Sequence, residues 1–311
     1  VRRIDVASAL GAFLQLEKSS PPGWRHNASK FTHLMLGFAA KISNSDHVLT
    51  ARADDVKLAA VKFPLLEVLK VIVGSLPEFA AISTFHFIRC LSVSLAASIR
   101  FADVDAELKS LLKTWPRLES LSLSCCGGLR LASLAMLCPE LKTLRLVSCE
   151  MSSDDTPLDY DAFPLLRTVE LGVKLPKVVF DAFFYATSGT LRNLRLAGDA
   201  SCRGFLHLCC LHDEPISFPC LEELTLGTAL TVDALQLEPE DLHHLLTSLP
   251  ALRHLSTDSY DLRLFVENYC VPRGSVSLSW CECVFCAVHR PCDGNSDEEA
   301  DVIRDCLGLP M

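Results

Sequence analysis

The sequence lacks any apolar run long enough to cross a bilayer. Its longest uncharged stretches are eleven residues, 6–16 and 242–252, against the roughly 20 that a membrane helix needs. No transmembrane helix and no membrane partner are expected. Basic residues are also in short supply: 29 Lys and Arg against 38 Asp and Glu leave a formal charge of −9. Phosphate-backbone binding relies on Lys and Arg to displace counterions, so no nucleic acid partner is expected. Catalytic motifs are missing too. There is no Gly-x-Ser-x-Gly, no Gly-x4-Gly-Lys and no His-Glu-x-x-His. His243 and His244 are neighbours in sequence, and adjacent helical positions point about 100° apart, so they do not share a ligand as an i, i+4 pair does. The chain does not read as an enzyme. What it has in quantity is apolar material, 50% of residues against 22% charged. That is enough for a large core and excludes a disordered chain.

Cysteine is plentiful but unlike a disulfide framework. The 15 Cys are odd in number, and two pairs are adjacent, Cys125-Cys126 and Cys209-Cys210. Most lie inside hydrophobic runs, where free Cys behaves as a small hydrophobe. Reduced core thiols in the cytoplasm or nucleus follow from this pattern. Arg2-Arg3 ahead of the run 6–16 loosely resembles a secretion signal, but Asp5 interrupts it and no small-residue cleavage site follows. The same run places Val6, Ala9, Leu10, Phe13 and Leu14 on one helical face, which predicts an N-terminal amphipathic helix. Asn27-Ala28-Ser29 fits a glycosylation sequon that an intracellular chain would not use. The first residue is Val1, from which a fragment or processed chain is expected.

One pattern recurs: Leu, two residues, Leu, one residue, Leu, often preceded by Pro. Pro116 opens Leu118, Leu121 and Leu123, and Pro139 opens Leu141, Leu144 and Leu146. Pro164 opens Leu166, Val169 and Leu171, then come Leu191, Leu194 and Leu196. Pro219 opens Leu221, Leu224 and Leu226, and Pro250 opens Leu252 and Leu255 with Thr257 in third place. Weaker copies lie upstream at Phe31, Leu34 and Leu36, at Leu66, Leu69 and Val71 after Pro64, and at Ile88, Leu91 and Val93. The nine copies are spaced by 35, 22, 30, 23, 25, 25, 30 and 31 residues. The last two apolar positions flank one polar residue, the alternation of a strand buried on one face. Between them, Leu108, Leu111, Leu112 and Trp115 have helical spacing, as do Phe180, Phe183, Phe184 and Thr187, and Leu242, Leu245, Leu246 and Leu249. Pro239 suits the first turn of the last helix.

This pattern resembles the leucine-rich repeat. The resemblance implies an α/β solenoid of about nine irregular repeats, a curved horseshoe with parallel strands on its concave face and helices on its convex face. Cys138-Pro139-Glu140-Leu141-Lys142-Thr143-Leu144-Arg145-Leu146-Val147-Ser148-Cys149 resembles the cysteine-containing repeat, and Leu121 to Cys126 carries the same ending. Phe-Pro at 63–64, 163–164 and 218–219 is a further likeness. The subclass is that of the F-box/leucine-rich-repeat substrate receptors of cullin ubiquitin ligases. In that class Cys126 and Cys149 would fill the buried turn after the strand. No F-box is visible in the chain, so a Skp-type adaptor and cullin are partners only if one lies upstream of Val1. A ligase-independent scaffold or sensor is the alternative.

The resemblance divides the chain into an N-terminal helix, cap or linker remnant (1–30), the solenoid (31–270), and a Cys-rich cap with an acidic tail (271–311). It places a protein partner on the concave face. There the outward residues are Ser120 and Ser122, Thr143 and Arg145, Thr168 and Glu170, Asn193 and Arg195, Glu223 and Thr225, and His254 and Ser256. Arg145, Glu170, Asn193, Arg195, Glu223 and His254 are the partner-binding candidates. Arg145, Glu170 and Arg195 make a plus, minus, plus series suited to an acidic-basic-acidic partner. The same alternation also serves cross-strand pairing and solubility. The acidic segment 150–161 reads as a solvated loop or a binding loop, without the calcium-loop spacing. Cys283, Cys286, His289 and Cys292 offer four zinc-type ligands within ten residues. Zinc sites more often use two separated pairs, so no cofactor is expected and a zinc-binding protein is the lesser alternative.

Overall fold

A computed structural model describes residues 3–6, 33–36, 38–42, 45–49, 53–96, 99–152, 158–211, 215–227, 239–257 and 276–279. The chain divides into two compact units. The first is Val1–Arg167 with Val178–Thr187, and the second is Thr168–Lys177 with Ser188–Met311. Among the described residues no helix is long and apolar enough to cross a membrane.

The Pro that opens each repeat has a local cause. In six copies the amide of the first Leu bonds the carbonyl three residues back: Leu66 to Phe63, Leu118 to Trp115, Leu141 to Cys138, Leu166 to Phe163, Leu221 to Phe218 and Leu252 to Leu249, all at 3.0–3.2 Å. Pro stands second in each of these turns, where its fixed φ is already correct. The first residue of each turn is buried, at 0–2% exposure. Four of the six turns follow directly on a helix, and all six bury their first side chain and lead into the next strand.

In the first unit the sheet is β1 (Arg3–Val6), β2 (His33–Leu36), β5 (Val68–Val73), β6 (Cys90–Leu95), β7 (Ser120–Ser124) and β8 (Thr143–Val147), every neighbouring pair parallel. An antiparallel hairpin, β3 (Phe38–Ile42) and β4 (Ser45–Leu49), lies outside that sheet. The helices are α1 (Ala53–Lys62), α2 (Leu76–Ala81), α3 (Asp105–Thr114), α4 (Leu131–Leu137) and α5 (Lys177–Thr187), the last from Val178 onward in this unit. Strand alternation buries Leu121, Leu123, Leu144 and Leu146 completely. Each such side chain is stabilised by about 1.5–3 kcal/mol relative to exposure. Leu108, Leu111 and Leu112 of α3 are buried as well, as is Trp115. The Trp115 indole donates to the Phe85 carbonyl at 2.7 Å, which ties one repeat to the one before it. On α5, Phe180, Phe183, Phe184 and Thr187 are all buried, and Phe183 meets Phe163 edge-on at 5.8 Å.

The second unit holds five parallel strands, β9 (Thr168–Gly172), β10 (Asn193–Ala197), β11 (Glu223–Gly227), β12 (His254–Thr257) and β13 (Ser277–Ser279). Helix α6 (Asp199–Leu206) continues into a π turn, His207–Leu211, and α7 (Pro239–Ser248) follows. Phe205 and Phe218 stack at 5.1 Å beside buried Cys202, Cys209, Leu245 and Leu249. Thr257, in the third apolar place, is fully buried.

Strand and helix therefore alternate as leucine-rich repeats do, and the described chain has the α/β leucine-rich-repeat fold. Nine of its parallel strands fall on the nine sequence copies. Two more extend the pattern. Val6, expected to begin a helix, ends strand β1 instead, in register with Leu36. Ser277–Ser279, in the segment read as a Cys-rich cap, is a strand beside β12.

The cysteine-type turn follows the pattern inferred from the sequence. Cys126 and Cys149 are 0% and 7% exposed. The Cys149 thiol reaches back to the Leu123 carbonyl at 3.4 Å, 26 residues away, and Cys126 bonds the Ser124 carbonyl at 3.5 Å. The residue before each of them turns left-handed, Cys125 at φ 61° and Ser148 at φ 50°. In the second unit the same position is Gly198, at φ 96°, where a glycine has no Cβ to oppose the turn.

Candidate functional site

Each strand turns its Leu positions toward the helices and its remaining positions to an open face. Parallel registration stacks these outward residues into rows about 4.8 Å apart. In the first unit the middle row is Lys70, Ser92, Ser122 and Arg145, paired strand to strand. Lys70 and Arg145 are exposed and the serines half-buried. Flanking rows are Val68, Cys90, Ser120 and Thr143, then Ile72, Ser94, Ser124 and Val147. Five serines on two adjacent strands make a hydroxyl surface between Lys70 and Arg145. At the strand-entry edge, Glu119 takes Arg89 on one side and Lys142 at 2.8 Å on the other.

In the second unit the first row is Thr168, Asn193, Glu223, His254 and Ser277, and the next is Glu170, Arg195, Thr225, Ser256 and Ser279. Arg195 Nη1 lies 4.0 Å from Glu170 Oε2, and at the entry edge Arg192 lies 3.6 Å from Glu222. His254 is held on both sides. Its Nδ1 is 2.7 Å from Ser277 Oγ and its Nε2 is 3.2 Å from Ser279 Oγ. Because Ser277 Oγ donates to the Arg253 carbonyl at 3.0 Å, it accepts from Nδ1–H.

The sequence rule thus locates its candidates unevenly. Arg145, Arg195 and Glu223 are exposed on the open faces, and Glu170, Asn193 and His254 are half-buried there. Arg145 belongs to the first unit's row, and Glu170 and Arg195 form their pair within the second. Ser256, expected to point outward, is only 7% exposed. Two sets of residues were missed. Lys70 and Ser92 follow from the same rule applied to the weaker upstream copies, while Ser94 and Ser124 come directly after the third apolar position, beyond its reach. The entry-edge charges Arg89, Glu119, Lys142, Arg192 and Glu222 each sit directly after the first apolar position, also outside the places the rule assigns to the open face.

The cysteines shift in opposite directions: the Cys149 thiol is lowered, chiefly by its bond to the Cys126 thiol. Burial pushes the Cys138 thiol up to about 12 and raises Cys90 on the open face. Cys126 is raised by its bond to the Cys149 thiol and by burial. Among the described residues no three His, Cys, Asp or Glu side chains gather closely enough to hold a metal ion. Cys283, Cys286, His289 and Cys292 lie outside the described residues.

No protein-family model matches the sequence, and no curated protein matches it. Among solved structures the chain is similar to a protein from Bacteroides fragilis, at 15% identity and TM-score 0.37, over 63% of this chain and 66% of that one. It is also similar to the mouse RP105/MD-1 complex, at 16% identity and TM-score 0.43, over 88% of this chain and 50% of that one. A third is the Rad7 and Elc1 complex of yeast, at 13% identity and TM-score 0.30, over 87% and 88% of the two chains. The chain spans just under two thirds of the bacterial chain and half of the mouse one.

Proposed function

We propose that the chain is a protein-interaction module that takes a protein partner on its open strand faces, and that it is the substrate-recognition region of an F-box-type ubiquitin ligase receptor. The observation that carries the interaction reading is the registered surface itself. Lys70, Ser92, Ser122 and Arg145 in one unit, and Glu170, Asn193, Arg195, Glu223 and His254 in the other, present donors, acceptors and charges on rigid strands. Strands hold such groups more precisely than loops do. The ligase reading is supported by the cysteine-type endings at Cys126 and Cys149, both buried in the turn after their strands. It also draws on the Phe-Pro turns at Phe63, Phe163 and Phe218. In this reading the module binds and positions, and catalyses nothing. The buried thiols of Cys126, Cys138, Cys149 and Cys209 suit a reducing compartment, the cytoplasm or nucleus.

A Skp-type adaptor and a cullin are partners of the full-length protein under this proposal, reached through an upstream F-box. The alternative reading is a ligase-independent scaffold or sensor built on the same repeats. Affinity purification of the full-length gene product from its own cells, read by mass spectrometry, separates the two. Recovery of cullin and adaptor is the expected result. Recovery of other partners without either one overturns the ligase reading and leaves the scaffold.

A further inference from the structure

Helix α4 has the sequence Leu-Ala-Ser-Leu-Ala-Met-Leu, apolar nearly all round. A helix of that kind is ordinarily covered on every side. Here Leu131 and Leu134 face the core, while Met136 is 73% exposed. Beyond its outer face runs the segment 158–164, and between them lies a groove of about 690 Å³. Ala132, Ala135 and Met136 line one side, and Leu158, Ala162 and Pro164 the other. That volume suits several side chains of a bound segment. The groove is on the helix side of the first unit, apart from the open strand face.

Its charge is one-sided. Among the described residues, the ionisable ones lining it are Asp159 and Asp161, both exposed, with no Lys or Arg. Tyr160 stands between them at 90% exposure, offering a ring face to a cation. Glu140, also exposed, follows Pro139 of the lining. An apolar floor with a carboxylate rim selects a basic occupant over an acidic one, since like-charge contacts at a rim are repulsive.

We propose that this groove docks an extended segment of a partner protein, in which a large apolar side chain enters against Met136 and flanking Lys or Arg residues meet Asp159 and Asp161. The segment 150–161 then supplies a recognition edge through its last residues. This docking site is independent of the open strand faces.

The test is fluorescence anisotropy on the full 311-residue chain with three labelled peptides. One has a central Leu-Phe flanked by Arg on both sides, one has Ser-Ser in place of Leu-Phe, and one has Glu in place of every Arg. The expected result is saturable binding of the first, with each altered peptide weaker by about tenfold or more. The double variant Asp159→Lys, Asp161→Lys should weaken the first peptide by about tenfold and strengthen the Glu peptide. Met136→Glu should weaken the first peptide as well. Asp54→Lys, an exposed change on α1, should leave it unaltered, which separates the groove from general attraction to an acidic chain. All altered side chains are exposed, and an unchanged melting temperature confirms that each variant folds. The proposal is overturned if the first peptide does not bind saturably. It is equally overturned if Ser-Ser binds as well as Leu-Phe, or if the groove variants behave like Asp54→Lys.

Discussion

Each unit buries the same kind of leucine set, and the two carry different faces. In the first, the outward middle row runs Lys70, Ser92, Ser122, Arg145, two cations bracketing two hydroxyls. In the second, the matching row runs Glu170, Arg195, Thr225, Ser256, with an acid and a base 4.0 Å apart. Behind both, the Leu positions are buried to within a few per cent. Inward positions are fixed by close packing, where even a methylene matters. Outward positions bury little, so they can change their chemistry without disturbing the fold. The inward set carries the stability, and under the proposed function the outward set carries recognition.

The largest effects should therefore come from equivalent inward positions in either unit. Leu144→Ala in the first and Leu224→Ala in the second should each cost about 2–5 kcal/mol, measured by urea unfolding. Both leucines are fully buried. A cost under about 1 kcal/mol at either site, the range of an ordinary surface change, would break the equivalence.

The turn after the strand sharpens it. Ser148 and Gly198 occupy the same place, both left-handed at φ 50° and 96°, and a Cβ on Gly198 would meet no atom within 4 Å. Gly198→Ala should then lose about 1–2 kcal/mol from backbone strain alone. Ser148→Gly should be neutral or stabilising by up to about 1 kcal/mol. Thermal melts of the two variants check the opposite signs.

A pH effect of similar size should arise from the buried thiols. Cys138 titrates near 9.0 when exposed and at about 12 in the folded chain. The folded state therefore holds its proton where the unfolded state releases it. The contribution is fully present below pH 9.0 and is lost as pH rises toward 12, at about 1.4 kcal/mol per pH unit for one such group. Between pH 8 and 10, Cys138→Ala should show a shallower fall in unfolding free energy than the parent. Identical slopes would contradict the assignment.

The smallest effects belong to the entry-edge ion pairs. Glu119 is 21% exposed with Arg89 and Lys142 at 52% and 47%, and Arg192 and Glu222 are 53% and 38% exposed. Glu119→Gln and Glu222→Gln should each change stability by no more than about 1 kcal/mol, with the Glu119 site the larger because two cations share it.

Much of this was legible in the linear chain. The Pro–x–Leu turns, the strand alternation and the helical spacing of Phe180, Phe183, Phe184 and Thr187 are all local signals, and local signals survive in a sequence. Strand β1 was not legible, because Val6 and the apolar residues after it carry a helical period while the partner strand at His33–Leu36 is far along the chain. Strand β13 has a single apolar residue, Leu278, too little for any period. The burial of Ser256 within the outward row, between Thr225 and Ser279, is set by neighbouring strands and not by its own local pattern. The groove beside α4 joins a helix to a segment more than twenty residues away, so only the folded chain brings its two walls together.

The central claim, that the outward rows are the recognition surface, is tested most directly by charge reversal on those rows in the full-length protein. Lys70→Glu with Arg145→Glu, and separately Arg195→Glu with Glu223→Lys, are compared with Lys57→Glu on α1 by quantitative partner recovery from cells. The account predicts that at least one row variant loses the principal partner by about tenfold or more at an unchanged melting temperature, while Lys57→Glu keeps it. Full retention of every partner by both row variants would contradict it.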